Sequence, residues 1–349
     1  MNLMEWLWLL PVLLSGLLTV LTARALLQYR LQTGVESDLP SLSILVPARN
    51  ETHAIARTLD NLTRLNYPKL EIIVLDDRSH DDTPEKIRSF AQNGVRFIAG
   101  QPLPEHWIGK NWACQQLSEH ASGEYILFCD IDTQLDSQGL QSLMQHIEHN
   151  QYAGASVQPR LVMNSWLGSM CAPVLVLTNQ LLGSRHHKIH PSYGGLLVFR
   201  TQDWRTHGGY HRFKNEVLSE YKLAKNFREI GGFAFLGNGS TLNFQRNTSF
   251  DAINATRRRT LRHLGITSSR LLILHVTTLA TPWITLLLWP WIYPLVLITV
   301  GIAYYQQIDR PWLPTLMWPL TCAVEFWLLI HSYTDHWRGA AQWKSRQLS

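Results

Sequence analysis

Cysteine is scarce in this chain, with four residues in 349, and Cys114, Cys129, Cys171 and Cys322 show neither pairing nor metal-ligand spacing. That excludes a disulfide framework and a thiolate metal site, and it fits a reducing compartment with ordinary buried thiols. G-x-G-x-x-G and the G-x-x-x-x-G-K-[ST] loop are both missing, so dinucleotide and P-loop chemistry are not expected. No helix-turn-helix, zinc-finger or aromatic RNA-binding pattern accompanies the basic residues, and nucleic acid is not expected as a partner. Charge itself is absent from long stretches. Residues 6–27 carry no acid and one base, Arg24; residues 271–305 carry no Asp, Glu, Lys or Arg; residues 312–333 carry only Glu325.

About 20 apolar residues cross a bilayer core, so all three stretches are membrane-spanning candidates. The first lacks a basic n-region and a small-residue cleavage site before Ala23, which marks a retained anchor over residues 1–30. Arg24 and Arg30 follow it and place residues 31–265 on the cytoplasmic side by the positive-inside rule. Residues 266–335 form the expected C-terminal transmembrane region of two or three helices, with 336–349 as a tail. If 271–305 turns back near Trp289-Pro290-Trp291, Arg338, Lys344 and Arg346 fall outside; if part of it lies in the interface, they stay inside. Both arrangements describe an integral protein of the cytoplasmic membrane. The net charge of +5 includes Arg257, Arg258, Arg259, Arg262 and Arg270 just before the apolar block, a pattern suited to anionic headgroups of the bilayer. Nothing in the pattern fixes an oligomeric state.

Between these flanks, short apolar runs alternate with helical stretches. Strands are expected at Ser41–Pro47, Leu70–Leu75, Val95–Ala99 and Tyr125–Cys129, and helices through Ile55, Leu59 and Leu62, over 84–92, and over 110–120. Such alternation predicts an α/β domain of parallel strands with ligands at their carboxyl ends. Polar motifs fall at those ends: Pro47-Ala48-Arg49-Asn50-Glu51 after the first, Asp76-Asp77-Arg78-Ser79 after the second, and Asp130-Ile131-Asp132 after the fourth. Asp82 or Thr83 before Pro84 reads as a helix cap. Asp76 and Asp77 suit a nucleobase N–H or ribose hydroxyls. Asp130 and Asp132, two apart on an extended chain, are expected to face one divalent cation together.

The order of five segments resembles the family 2 glycosyltransferases of GT-A fold. They are Val46-Pro47-Ala48-Arg49-Asn50-Glu51, Leu75-Asp76-Asp77-Arg78-Ser79, Gly109-Lys110-Asn111-Trp112-Ala113-Cys114, Asp130-Ile131-Asp132-Thr133, and Phe199-Arg200 through Gly208-Gly209-Tyr210 to Lys214-Asn215-Glu216-Val217-Leu218-Ser219-Glu220. The match spans 41 to about 245, and the third and fifth segments look most like the membrane-bound branch acting on carotenoid and hopanoid-type lipids. The resemblance implies a Rossmann-like mixed, mostly parallel sheet flanked by transmembrane helices. It implies a nucleotide-sugar donor, UDP-linked, bound through Pro47, Ala48, Arg49, Glu51, Asp76, Asp77, Lys110 and Asp130. It implies Mg2+ or Mn2+ on Asp130 and Asp132, inverting transfer, and a lipid acceptor at the bilayer. The catalytic base is implied at Glu220, where the family generally has Asp, with Ser219 in place of the preceding acid and Glu216 in reserve.

Three readings stay open beside these. Residues 162–185 are a core helix or an amphipathic helix in the membrane surface. His186, His187 and His190 suit an interfacial or acceptor-side role better than a metal site. The Gln-x-x-Arg-Trp motif of processive polysaccharide synthases is absent around Asn243, Gln245 and Arg246, which favours one sugar per acceptor over a processive synthase of a short glycan; a non-catalytic membrane partner that keeps the nucleotide site is the remaining alternative.

Overall fold

The structure is a computed structural model and describes residues 38–163, 165–166, 168–170, 192–237, 244–248, 283, 287, 294, 316–338, 342–343 and 346–347. Two units make up the chain: Leu31–Arg160 with Leu182–Arg246, and Met1–Arg30 with Leu161–Leu181 and Asn247–Ser349.

In the first unit the apolar runs form β1 (Leu42–Ala48), β2 (Leu70–Asp76), β3 (Val95–Ala99) and β4 (Tyr125–Cys129), within one residue of expectation. Helices α1 (Ile55–Thr63), α2 (Thr83–Arg88) and α3 (Gly109–His120) connect them. The expected helix over 84–92 is shorter, because the chain tightens into a 3-10 turn at Ala91–Asn93 that ends on Gly94 at φ +86°. Then come β5 (Thr133–Gln134), α4 (Ser137–His149), β6 (Gly154–Gln158), β7 (Arg160–Met163), whose residues after Arg160 belong to the second unit, and β8 (Leu196–Arg200). Helices α5 (Thr201–Thr206) and α6 (Ser219–Gly231) precede β9 (Phe233–Gly237) and β10 (Gln245–Thr248).

The main sheet runs β3-β2-β1-β4-β8-β6-β9. Pairs β1·β2, β1·β4, β2·β3 and β6·β9 are parallel, whereas β8 runs antiparallel to both β4 and β6. The sheet is therefore mixed and mostly parallel. Helices cover both faces, which is why its central strands read as continuous apolar runs. Leu42, Ile44 and Val46 face one core with Leu59 and Leu62 of α1 and Leu143 and Ile147 of α4. Leu45, Ile73, Ile126 and Phe128 face the other, with Leu117 of α3 and Leu223 and Phe227 of α6. Each such side chain contributes roughly 2 kcal/mol by leaving water.

An aromatic cluster binds α6 to this second core. Phe199 meets Phe227 at 4.5 Å and Trp204 at 4.8 Å between ring centres, and Phe128 meets Tyr210 at 5.4 Å edge-on. Pairs of this kind add about 1 kcal/mol each beyond area burial. They fix the position of the helix that carries Glu220.

In the second unit, α7 spans Trp318–Trp337 and a short hairpin pairs Gln342–Trp343 with Arg346–Gln347. Among the described residues no helix is long and apolar enough to cross a membrane. Of the stretch 312–333, residues 318–333 fall within α7, which runs on to Trp337, and residues 312–315 lie outside the described residues. Residues 6–27, and 271–305 apart from three positions, lie outside the described residues. The 162–185 expectation is corrected at its start, since Val162 and Met163 belong to β7, where alternate residues are buried. Residues 171–191, including His186, His187 and His190, lie outside the described residues.

Candidate active site

The loops after β1 and β2 are stitched together at the carboxyl edge. Asp77 N–H donates to Ala48 O at 2.7 Å, and Arg49 donates to Asp77 O with its guanidinium 3.8 Å from the Asp77 carboxylate. Asn50 N–H donates to Ser79 Oγ at 2.8 Å and Asn50 Oδ1 accepts from His80 N–H at 2.9 Å, while Glu51 N–H donates to Thr83 Oγ1 at 2.8 Å. Asn50 and Arg78 take left-handed conformations, φ 51° and 57°. Asn tolerates this through local side-chain bonds; Arg78 does not, and costs about 1 kcal/mol. Asp76 and Asp77 are both buried, and Asp76 Oδ1 has no hydrogen-bond partner among the described residues. Pro47, at the end of β1, is partly exposed. The cap expectation shifts by one residue. Asp82 makes no capping bond, and Asp81 instead accepts from Thr83 N–H and Oγ1 and from Thr52 N–H.

Two strands away, Asp130 and Asp132 sit in a turn, not on the extended strand that their spacing suggested. The strand ends at Cys129, and Thr133 N–H donates to Asp130 O at 3.0 Å, closing Asp130-Ile131-Asp132-Thr133. Thr58 of α1 donates to Ile131 O and holds this turn from below. Pairing of Leu45 with Phe128 and of Ala48 with Asp76 puts Asp76 and Asp130 on one edge, about 10 Å apart across two strand spacings. Each carboxylate has a cation. Lys110, second residue of α3, places Nζ 2.6 Å from Asp130 Oδ1 and 3.1 Å from Gly194 O. Arg246 of β10 places Nε 2.7 Å from Asp132 Oδ2. Burial, the largest effect, raises the Asp132 carboxyl above its ordinary range; Arg246 opposes this and Asp130 reinforces it. For Lys110 burial alone would lower the ammonium, but Asp130, with help from Glu220, outweighs it and holds the charge. Burial also pushes the Cys114 thiol up to about 12, so this neighbour is inert at neutral pH.

Glu220 comes to the same place from the other side. It is the second residue of α6, in line with the buried Leu223, Ala224 and Phe227 at i+3, i+4 and i+7, so it extends the face packed on the sheet. A Cβ on Gly194 would lie 3.1 Å from Glu220 Cδ and 3.2 Å from Oε1. A Cβ on Gly195 would lie 3.0 Å from Asp130 Oδ2. The Gly194-Gly195 turn therefore lies against both carboxylates, Gly194 beside Glu220 and Gly195 beside Asp130. Ser219, where an acid was expected, is buried and donates to Asn111 Oδ1 at 3.0 Å. Asn111 Nδ2 in turn serves the carbonyls of Phe213, Lys214 and Glu216. Glu216, the reserve base, is partly exposed and paired with Lys222.

Sequence reasoning missed Tyr193, Gly194, Gly195 and the pairing of Arg246, all joined to the site through long-range contacts. The Gly-Gly step directly before an apolar strand was the one local signal.

The donor set fits a divalent cation carried by a diphosphate. Mg2+ and Mn2+ in such sites take one or two carboxylates and complete their shell with phosphate oxygens and water. Asp130 and Asp132 supply two carboxylates, and Asp132 Oδ1 is shielded with no hydrogen-bond partner among the described residues. Among those residues no group of three or more His, Cys, Asp and Glu could hold a metal without such a ligand.

This sheet, with its polar motifs along one carboxyl edge, defines an α/β domain of GT-A type. The structure of a mannosyltransferase from Pyrobaculum calidifontis, solved with GDP-Man and Mn2+, shares the fold with a TM-score of 0.57 at 17% identity, over 96% of this chain and 99% of that one. The profile of Glycosyl transferase family 2 matches residues 43–170. A 4,4'-diaponeurosporenoate glycosyltransferase of Staphylococcus haemolyticus is 26% identical over 197 residues, 54% of this chain and 52% of the relative. A beta-monoglucosyldiacylglycerol synthase of Nostoc sp. is 29% identical over 154 residues, 42% and 33%. The chain thus spans about half the length of the first of these relatives and a third of the second.

Proposed function

We propose that the chain is an inverting, divalent-cation-dependent glycosyltransferase that moves one sugar from a UDP-linked donor to a hydroxyl or carboxyl of a lipid at the cytoplasmic face of a membrane. The observation that carries this reading is the meeting of Lys110, Asp130 and Glu220 around Gly194-Gly195, with Lys110 and Asp130 inside the stretch that the family 2 profile matches. The names of the relatives, one a diaponeurosporenoate glycosyltransferase and one a diacylglycerol-lipid synthase, support a lipid acceptor. The uncharged stretches at 6–27 and 271–305 support a membrane location.

In this reading Arg49, Asp76 and Asp77, with the Pro47–Glu51 loop, hold the nucleoside, and Lys110 meets the diphosphate. Asp130 and Asp132 hold Mg2+ or Mn2+, which when bound stabilises charge growing on the leaving diphosphate. Glu220 takes the proton of the acceptor oxygen as that oxygen bonds to the anomeric carbon and the bond to the diphosphate breaks. Two carboxylate groups with different tasks thus lie against the glycine turn. Lys110 pairs with Asp130 on the donor side, and Glu220 lies on the other.

The test is mass spectrometry of lipids after incubation of the detergent-solubilised chain with UDP-sugars and Mn2+. One hexose-type mass increment per lipid is expected, lost in Glu220→Gln and Asp132→Asn, with UDP binding retained in the former. A ladder of increments overturns single transfer. Turnover by Asp132→Asn with unchanged Mn2+ dependence overturns the mechanism.

A further inference from the structure

Asp132 is already engaged in this structure. Arg246 Nε donates to its Oδ2 at 2.7 Å, and the same guanidinium is gripped from behind by Tyr193, to whose hydroxyl it donates and over whose ring it lies at 5.3 Å. Tyr193 is itself fixed. It is buried, its N–H donates to Ser156 Oγ at 2.6 Å, and its carbonyl accepts from that hydroxyl at 3.1 Å. Arg246 is set in place by β10, where it pairs with Thr133, the residue next to Asp132. Contacts from β5, β6 and the 193–195 turn thus build the position of one guanidinium, which distinguishes it from a chance surface pair.

The charges balance in a particular way. Lys110 and Arg246 bring two positive charges to the two aspartates, the same charge that one divalent cation would bring. A bare cation at Asp132 must compete with a 2.7 Å ion pair and sit beside the guanidinium that makes it. A cation arriving with a diphosphate brings phosphate oxygens, for which a planar guanidinium is a better partner than a single carboxylate oxygen. We propose that Arg246, held by Tyr193, guards Asp132, so that the acid is released to a divalent cation only when a nucleoside diphosphate gives Arg246 a new partner. The inference rests on the reading of Asp132 as a cation ligand.

Electron paramagnetic resonance titration of Mn2+ into the purified full chain, with and without UDP, tests it without any turnover. Wild type binds Mn2+ weakly alone and more tightly with UDP. Arg246→Gln should gain about tenfold in nucleotide-free Mn2+ affinity and lose most of the UDP enhancement, since one close charge pair is worth at least one tenfold step. Tyr193→Phe, which removes only the hydroxyl that Arg246 bonds, should move the same way by about threefold. Arg200→Gln removes a cation paired with Asp203, at the opposite end of β8, and should change nothing. Equal nucleotide-free affinities in wild type and Arg246→Gln overturn the guard, as does an equal gain in Arg200→Gln. If Asp132→Asn leaves Mn2+ binding in the UDP complex intact, it is the assignment of Asp132 as a ligand that fails.

Discussion

Gly194→Ala is the sharpest perturbation of this site, because a single methyl meets one side chain and nothing nearer. Its three closest heavy atoms all belong to Glu220: Cδ at 3.1 Å, Oε1 at 3.2 Å and Cγ at 3.3 Å. Ordinary contact is about 3.5 Å, so the carboxylate must retreat by roughly 0.3–0.4 Å. A 1 Å misplacement of a reacting group costs about 10²-fold, and scaling in the exponent gives a fall of about fivefold in kcat. Gly194 is not among the glycines with positive φ, so alanine meets no backbone penalty and restricts the unfolded chain by about 0.5 kcal/mol. Folding stability should therefore change little. Gly195→Ala is the internal contrast. Its methyl would sit 2.7 Å from Tyr193 Cε1 and 3.0 Å from Asp130 Oδ2, against a buried ring that cannot retreat, so it should weaken Mn2+–UDP binding and cost about 1–3 kcal/mol of stability. The assay is steady-state kinetics alongside the Kd of Mn2+–UDP and urea unfolding. A Gly194→Ala enzyme with wild-type kcat, or one whose Kd rises as far as its kcat falls, would refute the assignment of Glu220 to the acceptor side.

Other substitutions probe the supports of the site. Asn111→Ala leaves the Phe213, Lys214 and Glu216 carbonyls without their amide donor and the Ser219 hydroxyl without its acceptor, so a loss of about 2–3 kcal/mol is expected by urea midpoint, with a fall in kcat as the start of α6 loosens. Glu216→Gln removes only a partly exposed pair with Lys222 and should leave kcat within about twofold and stability within about 1 kcal/mol; a loss comparable to Glu220→Gln would make Glu216 the base instead. Acid unfolding should have a component from Asp81, whose carboxyl would be raised by burial but is brought down to about 2 by bonds from Thr83 and Thr52. Because the folded value lies below the unfolded one, near 3.9, this stabilisation is complete above about pH 4 and disappears as the pH falls toward 2. Asp81→Asn should therefore show a smaller difference in urea midpoint between pH 5 and pH 2.5 than wild type.

How much of this was legible in the sequence depends on the distance over which each feature is decided. Strands β1, β2 and β4 were legible because burial on both faces writes each one largely as an apolar run, and local composition is enough to find it. Lys110 and Glu220 were legible as motif positions, and their convergence follows from two local facts: each is the second residue of its helix, and both helices pack on the same core. Spacing misled at Asp130 and Asp132, since two residues share a face only while the strand continues, and the strand stops one residue before the first acid. No local pattern could report that Arg246 reaches Asp132 across 114 residues, or that β8 enters antiparallel, because both depend on which strand ends the sheet leaves open. Glu220 itself shows the same division. Beside Lys222 and Lys225 it reads as one more solvent-facing acid, yet α6 turns its Leu223, Ala224 and Phe227 toward the sheet, and the helical period carries Glu220 inward with them. An acid carried inward at the first turn, over a glycine that leaves it room, is held by packing that any aspartate substituted there would inherit with a shorter reach. Glu220→Asp should accordingly keep the fold and nucleotide affinity while losing kcat by about tenfold, the effect of drawing the carboxylate back by one methylene from an acceptor that Gly194 lets it approach.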